Sequence, residues 1–231
     1  MIDAGKLYIV ATPIGNLDDI TLRSLETLKS VDFILCEDTR VTKNLLVCFQ
    51  INKPLISYHQ HSEMKKIKEI IGLLEEGKSL ALVTDAGTPG ISDPGNRLIA
   101  SLVAIPRLGG VGVGWPNIIP IPGPCAAIAA LSISGFPTDK FIFMGFPPHK
   151  NKRQKYFKEV AEAEHTVVFY ESGHRILKCL QELKMVLSAK RQIVVCRELT
   201  KKFETIYRGN IDNIIEQMQD ERGEFVVVIN I

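Results

Sequence analysis

Two kinds of apolar segment alternate along the chain. Short β-prone runs such as residues 7–11 and 79–84 end in polar turns, and longer segments with apolar residues three or four positions apart follow them. One such segment is a charged helix that Gly77 ends, and its predicted buried side consists of Met64, Ile67, Ile70, Ile71 and Leu74. Strands that alternate with helices in this way predict a largely parallel α/β sheet.

A glycine-rich stretch at residues 109–116 interrupts this alternation and predicts a domain boundary. Strand-like and helix-like segments resume after it. The gap between the predicted strands 193–196 and 204–207 is short, which favours antiparallel pairing in this half. We therefore expect two α/β domains, residues 1–114 and 115–231, with a cleft between them.

The composition indicates a cytoplasmic protein. The chain has 231 residues, of which 45% are hydrophobic, and a formal net charge of +2. Its five cysteines form no CxxC pair, so we expect reduced thiols. The N-terminus has no signal-peptide pattern, and no apolar run approaches the roughly 20 residues of a membrane span.

Four polar clusters follow predicted strands of the first half and the hinge: TPIGN (12–16), EDTR (37–40), DAGTPGISDPG (85–95) and PGPCA (122–126). If these strands are parallel neighbours, the clusters meet at one edge of the sheet, where open α/β sheets bind small molecules. The glycines of the 85–95 segment let backbone approach a ligand closely. The alternative for this segment is a tight turn in which Ser92 or Asp93 caps the next helix.

Several common site types are absent from the sequence. It contains neither GxGxxG nor GxxxxGK[ST], which argues against a nicotinamide enzyme and a P-loop NTPase. His59 and His61 lie close together, but no further ligands stand at metal-site spacing, so we expect no metal. The PGPCA cluster opens a helix with small residues and free N–H groups, which suits an adenosyl or carboxylate group, although a plain helix start would look the same.

Seven ordered segments carry a resemblance to a known family. They are ATPIGNLDDIT (11–21), CEDTR (36–40), TDAGTPGISDPG (84–95), PIPGPCAAIAAL (120–131), GFPPHKNKRQK (145–155), FYESGHR (169–175) and CRELTKKFET (196–205). Together they resemble the small-subunit ribosomal RNA methyltransferase I family of the tetrapyrrole methylase superfamily. The resemblance implies two α/β domains that bind S-adenosylmethionine in the cleft between them, methylation of the ribose 2′-hydroxyl of a cytidine in 16S rRNA, and a homodimer.

The resemblance also implies which residues bind the cofactor. These are Pro13, Gly15, Gly87, Thr88, Ile91, Ser92, Cys125 and Ala126. It further raises the basic cluster of Lys150, Lys152, Arg153 and Lys155 from a solvated face to a predicted contact with RNA phosphates.

The proton acceptor stays open at this point. A ribose hydroxyl is a weak acid, so a nearby base would help its methylation. Glu37, Asp38 and Arg40 are the candidate catalytic residues, but Asp38 and Arg40 could equally form a structural pair. Further candidates are Glu171 and Glu198, the latter with Lys201. Two other functions remain possible: methylation of a small molecule such as a tetrapyrrole, and a non-catalytic cofactor- or RNA-binding module.

Overall fold

The computed structural model describes residues 5–59, 64–104, 117–218 and 220–231. These residues form two compact units that divide between Pro124 and Cys125. The glycine-rich stretch predicted as the boundary lies outside the described residues. The strand that follows it pairs with the first strand of the chain, so the first unit extends beyond residue 114, where the sequence placed its end.

The first unit is a five-stranded sheet with four helices. Its elements are β1 (Lys6–Val10), α1 (Leu22–Ser30), β2 (Phe33–Cys36), α2 (Thr39–Cys48), β3 (Leu55–Ser57), α3 (Met64–Glu75), β4 (Leu80–Leu82), α4 (Gly95–Val103) and β5 (Asn117–Ile121). The strand order is β3-β2-β4-β1-β5, and every pair is parallel. The predicted parallel sheet is therefore confirmed.

Alternate residues of these strands supply two separate cores, as the period of two in a strand requires. Leu80 and Leu82 face α3 and α4, where Ile70 is fully buried. Ala81 and Val83 face the opposite side, with α1 and α2. Helices therefore cover both faces of the sheet, and the connecting loops lie at the ends of the strands.

The second unit contains a mixed sheet. Its elements are α5 (Ala126–Ser134), β6 (Phe141–Phe143), α6 (Arg153–Glu162), β7 (Thr166–Ser172), α7 (Gly173–Lys184), β8 (Ile193–Arg197), β9 (Thr205–Gly209), α8 (Ile211–Gln217) and β10 (Glu224–Ile229). The order is β6-β7-β10-β8-β9; β6 and β7 are parallel, and the other pairs are antiparallel. The predicted antiparallel pairing of β8 with β9 is confirmed.

Helices α6, α7 and α8 bury one face of this sheet around Phe157, Leu180 and Ile214. Helix α5 lies against β7, β8 and β10 and buries Ala127, Ala130 and Leu131. All five cysteines are free thiols, and Cys48 is exposed. Within the described ranges, no helix has the length and apolar character to cross a bilayer.

Candidate functional site

The four predicted polar clusters lie at one edge of the first sheet. They follow β1, β2, β4 and β5, and all these strands run in the same direction, so their carboxyl ends share that edge. The chain thus brings together loops that are up to about a hundred residues apart in sequence. Their convergence is a consequence of the parallel topology.

Backbone hydrogen bonds join the loops after β1 and β4. The N–H of Thr12 donates to the carbonyl of Gly87 at 2.9 Å, and the N–H of Gly87 donates back to the carbonyl of Thr12 at 3.1 Å. The buried Thr12 hydroxyl also donates to the carbonyl of Thr84 at 3.1 Å. These bonds fix the position of Pro13, which is buried, and of Gly15, which is exposed.

A third loop joins them at Gly87. This residue has a φ of +87°, a backbone angle that residues with a side chain rarely adopt. A Cβ at this position would lie 3.4 Å from Ile14 Cγ2 and 3.7 Å from the carbonyl oxygen of Pro124. The Thr88 hydroxyl donates to that same carbonyl at 2.9 Å. Residues from three loops therefore surround a stretch of bare backbone at Gly87.

The remainder of the 85–95 segment closes on Asp93. Its carboxylate accepts hydrogen bonds from the N–H groups of Gly90 at 2.8 Å and Gly95 at 2.7 Å, where α4 begins. Ser92 has a φ of +65°, and the side chains of Ile91 and Ser92 are exposed. Asp93 thus holds the turn before α4, while its neighbours stay open to a ligand.

Asp38 and Arg40 form the structural pair that the sequence left open. Asp38 caps α2 by accepting the N–H of Arg40 at 2.8 Å, and Arg40 Nη2 lies 2.6 Å from Asp38 Oδ2. The hydrogen bonds from Arg40 lower the pKa of Asp38 to about 2. A carboxylate so fully engaged is a poor proton acceptor at neutral pH.

Glu37 differs from Asp38 in its surroundings. It is half-buried at the end of β2, and burial raises its pKa, an effect to which the charges of Asp85 and Asp93 add. His59 opposes the shift. Asp85 accepts the N–H of Asp38 at 3.2 Å, and burial raises its pKa as well. A raised pKa brings a carboxylate closer to the range of an effective general base.

The start of α5 carries the predicted Cys125 and Ala126, both half-buried. Cys125 occupies the N-cap position without a side-chain capping bond, and the N–H of Ala127 donates to the Tyr170 hydroxyl at 3.2 Å. Burial raises the pKa of Tyr170. Only the position of Tyr170 inside the FYESGHR segment hinted at a role beside this helix start.

The basic cluster needs one correction. Lys150, Lys152 and Lys155 are exposed, but Arg153 is 5% exposed, and its Nε lies 2.6 Å from Glu182 Oε2. A second contact joins its Nη2 to Glu171 Oε2 at 3.3 Å. The guanidinium of Arg153 is therefore buried between two carboxylates, which argues against the predicted contact of this residue with phosphate.

The other proton-acceptor candidates are occupied by protein groups. Glu171 is fully buried and pairs with Arg153 and with Arg175, the latter at 2.8 Å. Glu198 accepts from Lys201 Nζ at 3.0 Å and from the N–H of Glu224 at 2.9 Å. Among the described residues, no three His, Cys, Asp or Glu side chains are grouped as metal ligands.

Comparisons with known proteins identify the family. The profile of the Tetrapyrrole (Corrin/Porphyrin) Methylases matches residues 6–215. The chain is 46% identical to the "Ribosomal RNA small subunit methyltransferase I" of Synechocystis over 97% of this chain and 78% of that protein. The proteins of the same name from Escherichia coli O157:H7 and Thermotoga maritima are 44% and 41% identical, over 77% and 98% of their lengths and 97% and 98% of this chain.

Solved structures support the fold. The methyltransferase CobJ superposes with a TM-score of 0.69 at 20% identity, covering 98% of this chain and 94% of that one. A uroporphyrin-III-C-methyltransferase from Thermus thermophilus superposes at 0.64 and 17% identity, covering 97% and 94%. By its profile match and its relatives, the chain belongs to the tetrapyrrole methylase family and, within it, to the ribosomal RNA small subunit methyltransferase I family.

Proposed function

We propose that this protein methylates the ribose 2′-hydroxyl of a cytidine in the 16S rRNA of the small ribosomal subunit. The observation that carries the proposal is the similarity, over nearly the whole chain, to proteins named ribosomal RNA small subunit methyltransferase I. This similarity favours RNA over a small tetrapyrrole as the acceptor, because the tetrapyrrole-type enzymes share only the fold, at 17–20% identity.

S-adenosylmethionine is the methyl donor of this family. The residues that would hold it are Pro13, Gly15, Gly87, Thr88, Ile91 and Ser92, together with Cys125 and Ala126, which follow Pro124 directly. The bare backbone at Gly87 supports this assignment, since a side chain there would enter the space between Ile14 and Pro124. When bound, the cofactor supplies an electrophilic sulfonium methyl group.

Glu37 accepts the proton of the ribose 2′-hydroxyl while the 2′-oxygen of the ribose becomes methylated. Its raised pKa distinguishes it from Asp38, whose carboxylate pairs with Arg40, and supports this role. Asp38 and Arg40 act as positioning residues, because they fix the first turn of α2 directly after Glu37. Proton transfer by such a group contributes about 10²–10⁴-fold to a rate.

Lys150, Lys152 and Lys155 bind the phosphates of the RNA. Their exposure supports this, because cations in solvent can replace the counterions of a nucleic acid. The family resemblance supports a homodimer, and a ribosomal substrate supports a cytoplasmic location.

The test is methylation of small ribosomal subunits that lack the modification, with labelled S-adenosylmethionine and identification of the labelled nucleoside. We expect label on 2′-O-methylcytidine. Label on a base, or no label from a folded protein that binds the cofactor, would contradict the proposal.

The same assay tests Glu37. We expect Glu37→Gln to lower kcat by about 10²–10⁴-fold, and the exposed helical Glu26→Gln to leave it unchanged. Because the base must be ionised, the wild-type rate should fall as pH drops through a pKa above the ordinary value of about 4.3. An unchanged kcat in Glu37→Gln would remove this residue from the mechanism.

A further inference from the structure

A concave surface of the second unit collects lysines from two helices and the loop before them. It is an open pocket of about 580 Å³ that is bounded by Lys150 and Lys152 of the loop before α6, Lys155 of α6, and Lys178 of α7. Arg153 and Glu182 also border it. Lys178 lies outside every predicted site and more than 20 residues away from the other lysines in sequence. We call this surface the lysine pocket.

Most of the positive charge in the lysine pocket is uncompensated. Arg153 is neutralised by Glu182 and Glu171. Lys155 has only a loose, exposed contact of 3.8 Å with Glu159. Within the described part of the chain, Lys150, Lys152 and Lys178 make no ion pair. At least three ammonium groups therefore face a space that no carboxylate neutralises.

The environment of Lys178 explains why it stays unpaired. Glu182 lies one helical turn further along α7, at a spacing that usually allows a Lys–Glu contact. Its carboxylate instead accepts the Nε–H of Arg153 at 2.6 Å. The buried arginine thus takes the one acidic group of the pocket and leaves Lys178 available for an outside anion.

Two arginines hold the loop that carries the other lysines. Arg153 Nη1 donates to the carbonyl of Pro148 at 3.1 Å, and Arg175 Nη1 donates to the carbonyl of Pro147 at 3.4 Å. Glu171, which is fully buried near the end of β7, pairs with both guanidinium groups. The loop is therefore fixed before any ligand arrives, which lowers the entropic cost of binding.

The helix that follows the loop favours an anion at the same place. Lys152 occupies the N-cap of α6 with a φ of +66° and without a side-chain capping bond. The first N–H groups of α6 thus lack a side-chain acceptor at the cap, and the helix dipole adds a partial positive charge beside the lysines.

We propose that the lysine pocket binds a backbone phosphate of the substrate RNA, with Lys178 as a direct contact and Arg153 as a positioning residue. The proposal rests on the proposed function for the identity of the RNA. The chemistry on the protein side is that of a phosphate site: several compact ammonium groups on a fixed loop beside a helix N-terminus.

The test compares Lys178→Gln with Lys68→Gln, a matched control on the exposed face of α3. Binding to unmodified small subunits is measured between 50 and 200 mM salt. Loss of one phosphate contact should weaken binding and reduce the slope of log K against log salt by about 0.7–0.9. Lys68→Gln should change neither. Equal slopes in the two variants would overturn the proposal.

A second arm separates RNA phosphate from a free phosphate compound. Tripolyphosphate is titrated into the wild type and Lys178→Gln by calorimetry. If it binds the wild type alone while the salt slopes for RNA remain equal, the pocket serves a soluble phosphate ligand and the RNA assignment fails. Since both arms measure binding, they are independent of the methylation assay, and failure there would count only against the proposed function.

Arg153→Lys tests the positioning role. This variant keeps the charge but cannot reach Pro148 and both carboxylates at once. We expect a higher KM for the RNA, an unchanged kcat and an unchanged affinity for S-adenosylmethionine. An unchanged KM in the folded variant would show that the loop does not need this support.

Discussion

The two units use their charged residues in opposite ways. In the first unit, Glu37 and Asp85 stand at the open edge of a parallel sheet, and burial raises the pKa of each. In the second unit, Arg153 of α6 and Glu171 of β7 are buried and form an ion pair. These two carboxylates of the first unit stay available for chemistry, whereas the buried ion pairs of the second unit hold loops.

Arg197 shows that the second pattern recurs. Its buried guanidinium pairs with Asp220 at 2.8 Å and donates to the carbonyls of Arg222 at 2.8 Å and Phe203 at 3.0 Å. As with Arg153, one arginine joins a carboxylate to loop carbonyls. In the first unit, the parallel topology alone brings the loops together. In the second unit, particular arginine side chains hold the loops in place.

Removing Glu171 should produce the largest effect, because Glu171→Ala leaves the buried guanidinium of Arg153 and the partly buried one of Arg175 without their shared partner. We expect the free energy of unfolding to fall by about 3–5 kcal/mol, measured by urea denaturation of the whole chain. The control is Glu159→Ala, which breaks an exposed contact with Lys155 and should cost less than about 1 kcal/mol.

Should Glu171→Ala not fold, Glu171→Gln offers a milder version that keeps the size and one acceptor oxygen. It should still lower the unfolding midpoint. If either variant were as stable as Glu159→Ala, the second unit would not depend on this ion pair, and the contrast between the units would be lost.

Much of the fold could be predicted from local sequence. The alternation of strands and helices gave the parallel sheet, and the chain's own turns gave the loops at its edge. The boundary between the units was harder to predict, because the sequence of β5 does not indicate that this strand pairs with β1. Such a pairing depends on long-range contacts that no window of the sequence contains.

The burial of Arg153 could have been predicted from its position in the helical repeat of α6, but its basic neighbours suggested an exposed residue instead. Arg153, Tyr156, Phe157 and Val160 follow the helical repeat and share the buried face of α6. The partners were not predictable, since Glu171 and Glu182 lie on other elements, 18 and 29 residues away. Likewise, the sequence allowed Asp38 and Arg40 to be either catalytic residues or a structural pair, and only their geometry distinguished the two interpretations.

A smaller effect than that of Glu171→Ala is expected from a substitution at Gly87, where the backbone of the first unit is predicted to approach the cofactor. Gly87→Val places a β-branched side chain at a φ of +87° beside Ile14 and Pro124. Strain of this kind lowers the stability of the fold by about 1–3 kcal/mol. Because the added side chain would also block close approach of the cofactor to this backbone, calorimetry should show S-adenosylmethionine affinity reduced by about tenfold, which is about 1.4 kcal/mol. Gly72→Ala is the control, because a Cβ at Gly72 meets nothing within 4 Å. Undiminished affinity in folded Gly87→Val would place the cofactor elsewhere.

The smallest effect should come from Arg40→Ala, which tests whether the pair with Asp38 is structural. Arg40 is 88% exposed, so solvent screens the pair, and its loss should lower the unfolding midpoint at neutral pH only slightly. Arg40 lowers the pKa of Asp38 to about 2, below the unfolded value of about 3.9. The stabilisation is therefore present above pH 4 and is lost as the pH falls towards 2. In Arg40→Ala, the pKa of Asp38 measured by NMR should rise towards its ordinary value, and stability should depend less on pH between 4 and 2. Methyl transfer at neutral pH should fall much less than in Glu37→Gln, because Arg40 only helps to position the start of α2; a loss as large as that expected for Glu37→Gln would make Arg40 part of the chemistry.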